Sequence, residues 1–176
     1  GLQHEDGHSL ILANLVPNCI SYDPTFQYEV AVVVQDGLRR MHQEQEDVFY
    51  YLTVMNENYE HPEMPAGTEQ DIIKGMYQFS KGAVADGKKA APRVQLLGSG
   101  TIFREVIAAA DMLKQDWGVD ADLWGCPSFN ELSRNGNDVQ RWNLLNPAEK
   151  PRLSHVEQCL NDTRGPIVPG TDKVRL

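Results

Sequence analysis

Val94-Gln95-Leu96-Leu97-Gly98-Ser99-Gly100 is the stretch whose reading decides the fold. A short apolar run enters a Gly-Ser-Gly turn. Beyond it Phe103, Val106, Ile107, Ala110 and Leu113 recur at helical spacing until Gly118 supplies a C-terminal stop. Val119, Ala121 and Leu123 then alternate with Asp120, Asp122 and Trp124, the period of a strand. Strand, turn, helix and strand in that order predict a β-α-β unit on a parallel sheet. Ser128 and Glu131 form a capping-box pair that opens another helix. After Pro147 the apolar signal thins, and Asp162 to Leu176 reads as extended.

The upstream half alternates in the same way. Leu15 to Tyr22 reads as a strand, with Asp23-Pro24 as helix cap and first helical residue. The run Thr25 to Gln45 follows, its apolar residues nearly encircling the first turns, which predicts a helix buried on most sides or lying at an interface. Asp47 to Val54 is rich in β-branched and aromatic residues and reads as a strand. Thr68-Glu69-Gln70-Asp71 resembles a capped helix start, with Ile72, Ile73, Met76 and Tyr77 as its apolar stripe. Residues 80–92 hold almost no apolar bulk and read as a linker. The predicted architecture is therefore α/β, with parallel-sheet β-α units in two domains, 1–79 and 93–176, joined by the 80–92 linker.

Composition narrows the function classes. The chain has 176 residues, 41% of them hydrophobic, which is enough for a packed core. A formal net charge of −9 argues against a nucleic-acid or anionic-membrane surface. The basic pairs Arg39-Arg40 and Lys88-Lys89 are isolated and read as solvated face and linker. Cys19, Cys126 and Cys159 have no C-x-x-C spacing, which fits a reduced cytosolic or organelle-matrix protein, with Cys19 as a small core residue. No apolar run is long enough to span a membrane. Gly1 is not a natural start, so the chain reads as a piece of something longer.

The chemistry concentrates in His4-Glu5-Asp6-Gly7-His8, two imidazoles and two carboxylates in five positions. As a bare pattern it matches the zinc-hydrolase string H-E-x-x-H, with Glu29 as a conceivable third ligand. That chemistry needs a stable helix, and Gly7 inside the motif costs about 1 kcal/mol there. Gly98-Ser99-Gly100 lies where phosphates bind helix amides, yet it lacks a third glycine and a P-loop lysine, so a tight β-α turn is the stronger reading. His42, His61 and His155 stand alone in polar surroundings and carry no assigned chemistry. Trp117, Trp124 and Trp142 read as packing.

Several longer strings occur together and in order. Gly1-Leu2-Gln3-His4-Glu5-Asp6-Gly7-His8-Ser9, Pro17-Asn18-Cys19-Ile20-Ser21-Tyr22-Asp23-Pro24, Tyr28-Glu29-Val30-Ala31-Val32 and Met55-Asn56-Glu57-Asn58-Tyr59 resemble the homodimeric bacterial pyruvate dehydrogenase decarboxylase components, which are transketolase-like thiamine diphosphate enzymes. The 94–100 stretch, Ser128-Phe129-Asn130-Glu131-Leu132 and Arg141-Trp142-Asn143 continue the match to about Asp162. In transketolases the stretch at Glu5 runs Glu-Asp-Gly-Pro-Thr-His. Its last His falls on Leu10 here, which weakens a sugar-transferring reading.

The resemblance implies that residues 1–79 are the later part of a pyrimidine-binding domain and 93–176 the start of a transketolase C-terminal-like domain. It implies oxidative decarboxylation of pyruvate with acetyl transfer to a lipoyl group, using thiamine diphosphate and magnesium whose ligands lie mostly elsewhere in the parent enzyme. It places His4 in the active cleft, where an imidazole donates a hydrogen bond to the substrate carboxylate or developing alkoxide. Glu5, Asp6 and His8 are implied as support for that loop, and no residue here is implied as a metal ligand. A cytoplasmic homodimer working with a lipoyl-bearing acyltransferase is implied too. The segment alone is expected to have no decarboxylase activity and to bind no thiamine diphosphate; micromolar binding in a calorimetric titration would overturn that. A non-catalytic α/β assembly module of the same family, and more remotely the zinc hydrolase, are the alternatives.

Overall fold

A computed structural model describes residues 6–83 and 91–174. Ser9–Asn14 forms a short helix, α1, and Cys19–Tyr22 forms strand β1. Helix α2, Gln27–Leu38, continues into a π-helical turn at Arg39–Gln43 and leads to strand β2, Phe49–Leu52. β1 and β2 pair in parallel, Cys19 opposite Phe49 and Tyr22 opposite Leu52, with α2 as the crossover. Helix α3, Glu69–Ile73, closes this part.

The second sheet contains β3, Tyr77–Ser80; β4, Arg93–Gly98; β5, Asp120–Gly125; and β6, Ile167–Gly170. Helix α4, Gly100–Trp117, links β4 to β5; helices α5, Phe129–Leu145, and α6, His155–Leu160, lead on to β6. The strand order is β3-β5-β4-β6, with β4 parallel to both neighbours and β3 antiparallel to β5. The α/β reading with parallel β-α units holds. The β4-turn-α4 stretch forms as its periodicity predicts, and Gly118 ends the helix in the left-handed region at φ 63°.

The two sheets share their cores. Tyr77 of β3 packs with Ile20 and Tyr22 of the first sheet and with Val33 of α2 and Ile72 of α3. Phe26, just before α2, packs with Val94, Leu96, Phe103 and Leu123 on the second. Polar bonds cross as well. Ser128 caps α5 by accepting from the Glu131 amide at 3.0 Å, and its hydroxyl donates to the Ser21 carbonyl at 2.6 Å. Asn130 Nδ2 donates to the Leu10 carbonyl and to Ser21 Oγ, each at 2.7 Å. The start of α5 therefore grips α1 and β1 together.

Several elements differ from their sequence reading. The strand expected over 15–22 begins at Cys19, because α1 and a turn occupy the residues before it. α2 begins at Gln27 rather than after Asp23-Pro24. The Glu29 carboxylate reaches back to accept the Phe26 amide at 2.9 Å and the Thr25 amide, which fixes the first turn there. That helix is also less enclosed than expected: Val33 is buried, whereas Val34 and Leu38 are 45% and 51% exposed.

Met76 and Tyr77, read as the end of a helical stripe, leave α3 through Gly75 at φ 99°, and Tyr77–Ser80 joins β5 on the second sheet. The linker stretch 84–90 lies outside the described residues. Asp120 and Asp122 do not face water as the alternation in β5 implies. Both are buried, Asp120 against Lys114 at 2.6 Å and Asp122 against Arg93 and the Gln95 amide. Within the 162–176 tail, read as extended or unfinished, Ile167–Gly170 forms β6, and α6 before it has its own capping box between Ser154 and Glu157. His155, read as isolated, is buried with Nε2 donating to the Met76 carbonyl at 2.7 Å. Trp124 packs as expected, whereas Trp117 is 77% exposed. Among the described residues, no helix is long and apolar enough to cross a membrane.

Candidate functional site

Strands β1, β2, β4 and β6 all point their C-terminal ends to one place, where α/β folds gather ligands. There a cleft of about 860 Å³ opens between the sheets. One wall is the Asp6-Gly7-His8 loop that leads into α1. A second is the exit of β2, from Tyr51 to Glu57. The floor is Asp23, leaving β1, with Thr101 in the first turn of α4. Asp172, Lys173 and Val174, leaving β6, complete it.

Asp6 has several tasks. Its carboxylate accepts the Ser9 amide at 2.9 Å, the His8 amide at 3.3 Å and the Ser9 hydroxyl, so it caps α1. Burial pushes its carboxyl up, but the Ser9 hydrogen bonds and the Lys173 charge outweigh this and hold it below the ordinary carboxylate range. His8 lines the cleft and is exposed. His4 and Glu5 lie outside the described residues. The structure thus brings Asp6 and His8 to one cleft.

The floor was not read from the sequence. Asp23-Pro24 resembles a helix cap, yet the Asp23 side chain turns away from α2 toward the first turn of α4. The Gly100 amide donates to the Asp23 backbone carbonyl at 3.0 Å, and Gly100 sits at φ 50° with its α-carbon against the Asp23 carboxylate. A Cβ on Gly100 would stand 2.4 Å from Asp23 Oδ2, so only glycine admits this contact. The Gly98-Ser99-Gly100 turn is therefore filled by the protein's own carboxylate, as a tight turn, and does not present an open anion cradle. Thr53 Oγ1 donates to Asp23 Oδ1, whereas Oδ2 is buried with no hydrogen-bond partner among the described residues. Burial pushes the Asp23 carboxyl up, the nearby Asp172 charge adds to the rise, and the Thr53 hydrogen bond and Lys173 only partly offset it.

Two other expectations meet the geometry here. H-E-x-x-H zinc binding needs both imidazoles on one helix, but Asp6, Gly7 and His8 are non-helical and α1 starts at Ser9. Glu29, the conceivable third ligand, is buried with its carboxylate taken by Tyr77 and the Phe26 and Thr25 amides. No group of three or more His, Cys, Asp or Glu suited to a metal exists among the described residues. The cleft lining is rich in carboxylates, and Lys173 is its only ammonium among the described residues. This lining does not fit a magnesium-bound diphosphate: its carboxylates repel phosphate oxygens, and among the described residues they do not converge in a group of three or more suited to a metal.

Two family models match the chain. Residues 1–62 match the family model described as the pyruvate dehydrogenase E1 component middle domain, and residues 75–175 match the transketolase-like TK C-terminal domain. The chain is 73% identical over 175 residues to a pyruvate dehydrogenase E1 component of Cupriavidus necator, covering 99% of the chain and 19% of that protein. It is 57% identical to one from Pseudomonas aeruginosa and 51% identical to one from Escherichia coli, covering 100% of the chain each time. The chain spans about a fifth of the length of these relatives. A crystal structure of a transketolase variant from Pichia stipitis superimposes with a TM-score of 0.60 at 13% identity, over 95% of this chain and 20% of that one, a likeness of fold alone.

Proposed function

Because the chain belongs to the transketolase-like family of pyruvate dehydrogenase E1 components, we propose that its cleft is one wall of an active site for oxidative decarboxylation of pyruvate with acetyl transfer to a lipoyl group. The observation that carries the proposal is the position of the Asp6-Gly7-His8 loop at the C-terminal ends of the strands, beginning two residues after His4 in the chain. His4 is the group that touches substrate. Its imidazole donates a hydrogen bond to the substrate carboxylate or to the alkoxide that develops at the 2-oxo carbon. Glu5, Asp6 and His8 hold the loop, and Asp6 does so as the cap of α1.

The family's thiamine diphosphate supplies the carbanion-stabilising chemistry when bound. Its diphosphate and magnesium are held by residues other than those of this cleft wall. The domain division belongs to the same proposal: residues 1–79 end the pyrimidine-binding domain and 93–176 begin the C-terminal-like domain, with β3 crossing over to the second sheet. The working enzyme is a cytoplasmic homodimer partnered by a lipoyl-bearing acyltransferase, and the exposed Val34 and Leu38 on α2 suit a subunit contact.

The test is His4→Ala in an intact enzyme carrying these residues. Turnover should fall by roughly 10²-fold, the scale of a lost general acid–base group, with cofactor affinity unchanged. Steady-state kinetics with pyruvate and a lipoyl domain measure it, and wild-type turnover would remove His4 from the site.

A further inference from the structure

We propose that Lys173 is a positioning residue of this active site: its ammonium, reaching from the exit of β6, fastens the loop behind His4 to the Asp23 floor of the cleft. The inference rests on the reading of His4 given above.

The Lys173 side chain is 12% exposed, low for a lysine, and its ammonium is surrounded by acceptors. Nζ donates to the Asp6 backbone carbonyl at 2.9 Å. It stands 3.7 Å from Asp6 Oδ2, 3.7 Å from Asp172 Oδ1 and 3.9 Å from Asp23 Oδ1. One residue on, the Val174 amide donates to the Gly7 carbonyl at 3.0 Å. Lys173 and Val174 therefore take consecutive carbonyls of the site loop, 167 residues away in sequence.

The contact fixes a direction as well as a distance. With its carboxylate engaged by Ser9 and His8, Asp6 is rigid toward α1; with its carbonyl held by Lys173, it is rigid toward β6. His4 lies two residues before this doubly held position in the chain, and a displacement near 1 Å of a catalytic group is enough to cost about 10²-fold in rate. The ammonium also offsets part of the negative charge of the carboxylates contributed by β1, the site loop and the β6 exit, and so weakens the repulsion where these elements meet.

In the intact enzyme, Lys173→Met and Lys173→Arg should be compared with His4→Ala and with the His4→Ala/Lys173→Met double variant. Lys173→Met should lower kcat about tenfold or more with KM for pyruvate little changed, the mark of a misaligned transition-state contact. Lys173→Arg should recover most of the loss. The double variant should be no slower than His4→Ala, because residues that act through one another are not additive. Amide exchange at His8 and Ser9 should accelerate in Lys173→Met while that of β4 stays unchanged. Multiplying losses, or unaltered exchange in the site loop, would overturn the role of Lys173. Wild-type turnover in His4→Ala together with accelerated loop exchange in Lys173→Met would sink the His4 reading, and with it the catalytic part of this inference, while upholding the clamp itself.

Discussion

Replacing Gly165 with alanine is expected to lower the stability of the chain by roughly 3 kcal/mol or more, the range in which a strained backbone and an impossible contact coincide. Gly165 has φ 90°, a conformation that side chains rarely adopt. A Cβ there would lie 1.7 Å from the Arg93 carbonyl oxygen and 2.6 Å from its carbon. Both are backbone atoms of β4, an interior strand of its sheet, so nothing can rotate away. The close approach sets the register of the edge strand: the Gln95 amide donates to the Pro166 carbonyl at 2.9 Å, and Ile167 then sits opposite Gln95.

Gly118→Ala is the internal control. Its φ is 63°, but a Cβ would meet nothing within 4 Å, so the cost is the left-handed conformation alone, about 1–2 kcal/mol. Urea unfolding of both variants measures the difference. Equal midpoints would mean that the contact with Arg93 has no energetic consequence. Because β6 leads directly to Lys173, the Gly165 variant should also release the site loop, at a position that forms none of the cleft.

Which parts were legible in the sequence follows from the range of the forces that form them. β4, α4 and β5 rest on local periodicity and on Gly118, and they form where the pattern places them. β6 contains Pro169, ends on Gly170 and follows Gly165 closely; a run of that composition reads as loop, and only an edge position tolerates its missing donor. α1 has six residues, too few for a periodic signal. Two misses did leave local marks: Ser154-x-x-Glu157 is a capping box, and Gly75 interrupts the stripe that runs from Ile72 to Tyr77.

The site divides in the same way. Asp6 and His8 announce themselves by the density of ionisable groups around them. Asp23 has a local reading as a helix cap, and a long-range competitor, the first turn of α4, takes its side chain instead. Lys173 has no local signal, since every group it neutralises except Asp172 is brought to it by the fold.

Glu29→Gln is expected to abolish a pH dependence of stability worth about 3 kcal/mol between pH 4.5 and 8. Glu29 is 1% exposed, and burial pushes its carboxyl up from 4.5 to about 7; the hydrogen bonds from Phe26, Tyr77 and Thr25 pull the other way and lose, and the nearby Asp23 adds to the rise. A folded value above the unfolded one means that the folded chain holds the proton more tightly. The group therefore contributes its full stability below about 4.5 and loses it progressively as pH rises to about 7.

Glutamine mimics the protonated acid at this position. Its carbonyl accepts the Thr25 and Phe26 amides, and its NH₂ donates to the Tyr77 oxygen. Tyr77 then donates to Tyr28, a pair 2.6 Å apart in which either hydroxyl can be the donor. Wild type and variant should thus be nearly equal at pH 4.5 and should diverge above it, the variant being the more stable at pH 8. Urea titrations of both chains at several pH values isolate the effect, because carboxylates that do not interact with Glu29 cancel in the difference. A constant difference across that range would show that Glu29 keeps an ordinary acidity in the folded state. Tyr77 belongs to the second sheet and Glu29 to α2, so the same titration reports on the junction that holds the two halves of the cleft together.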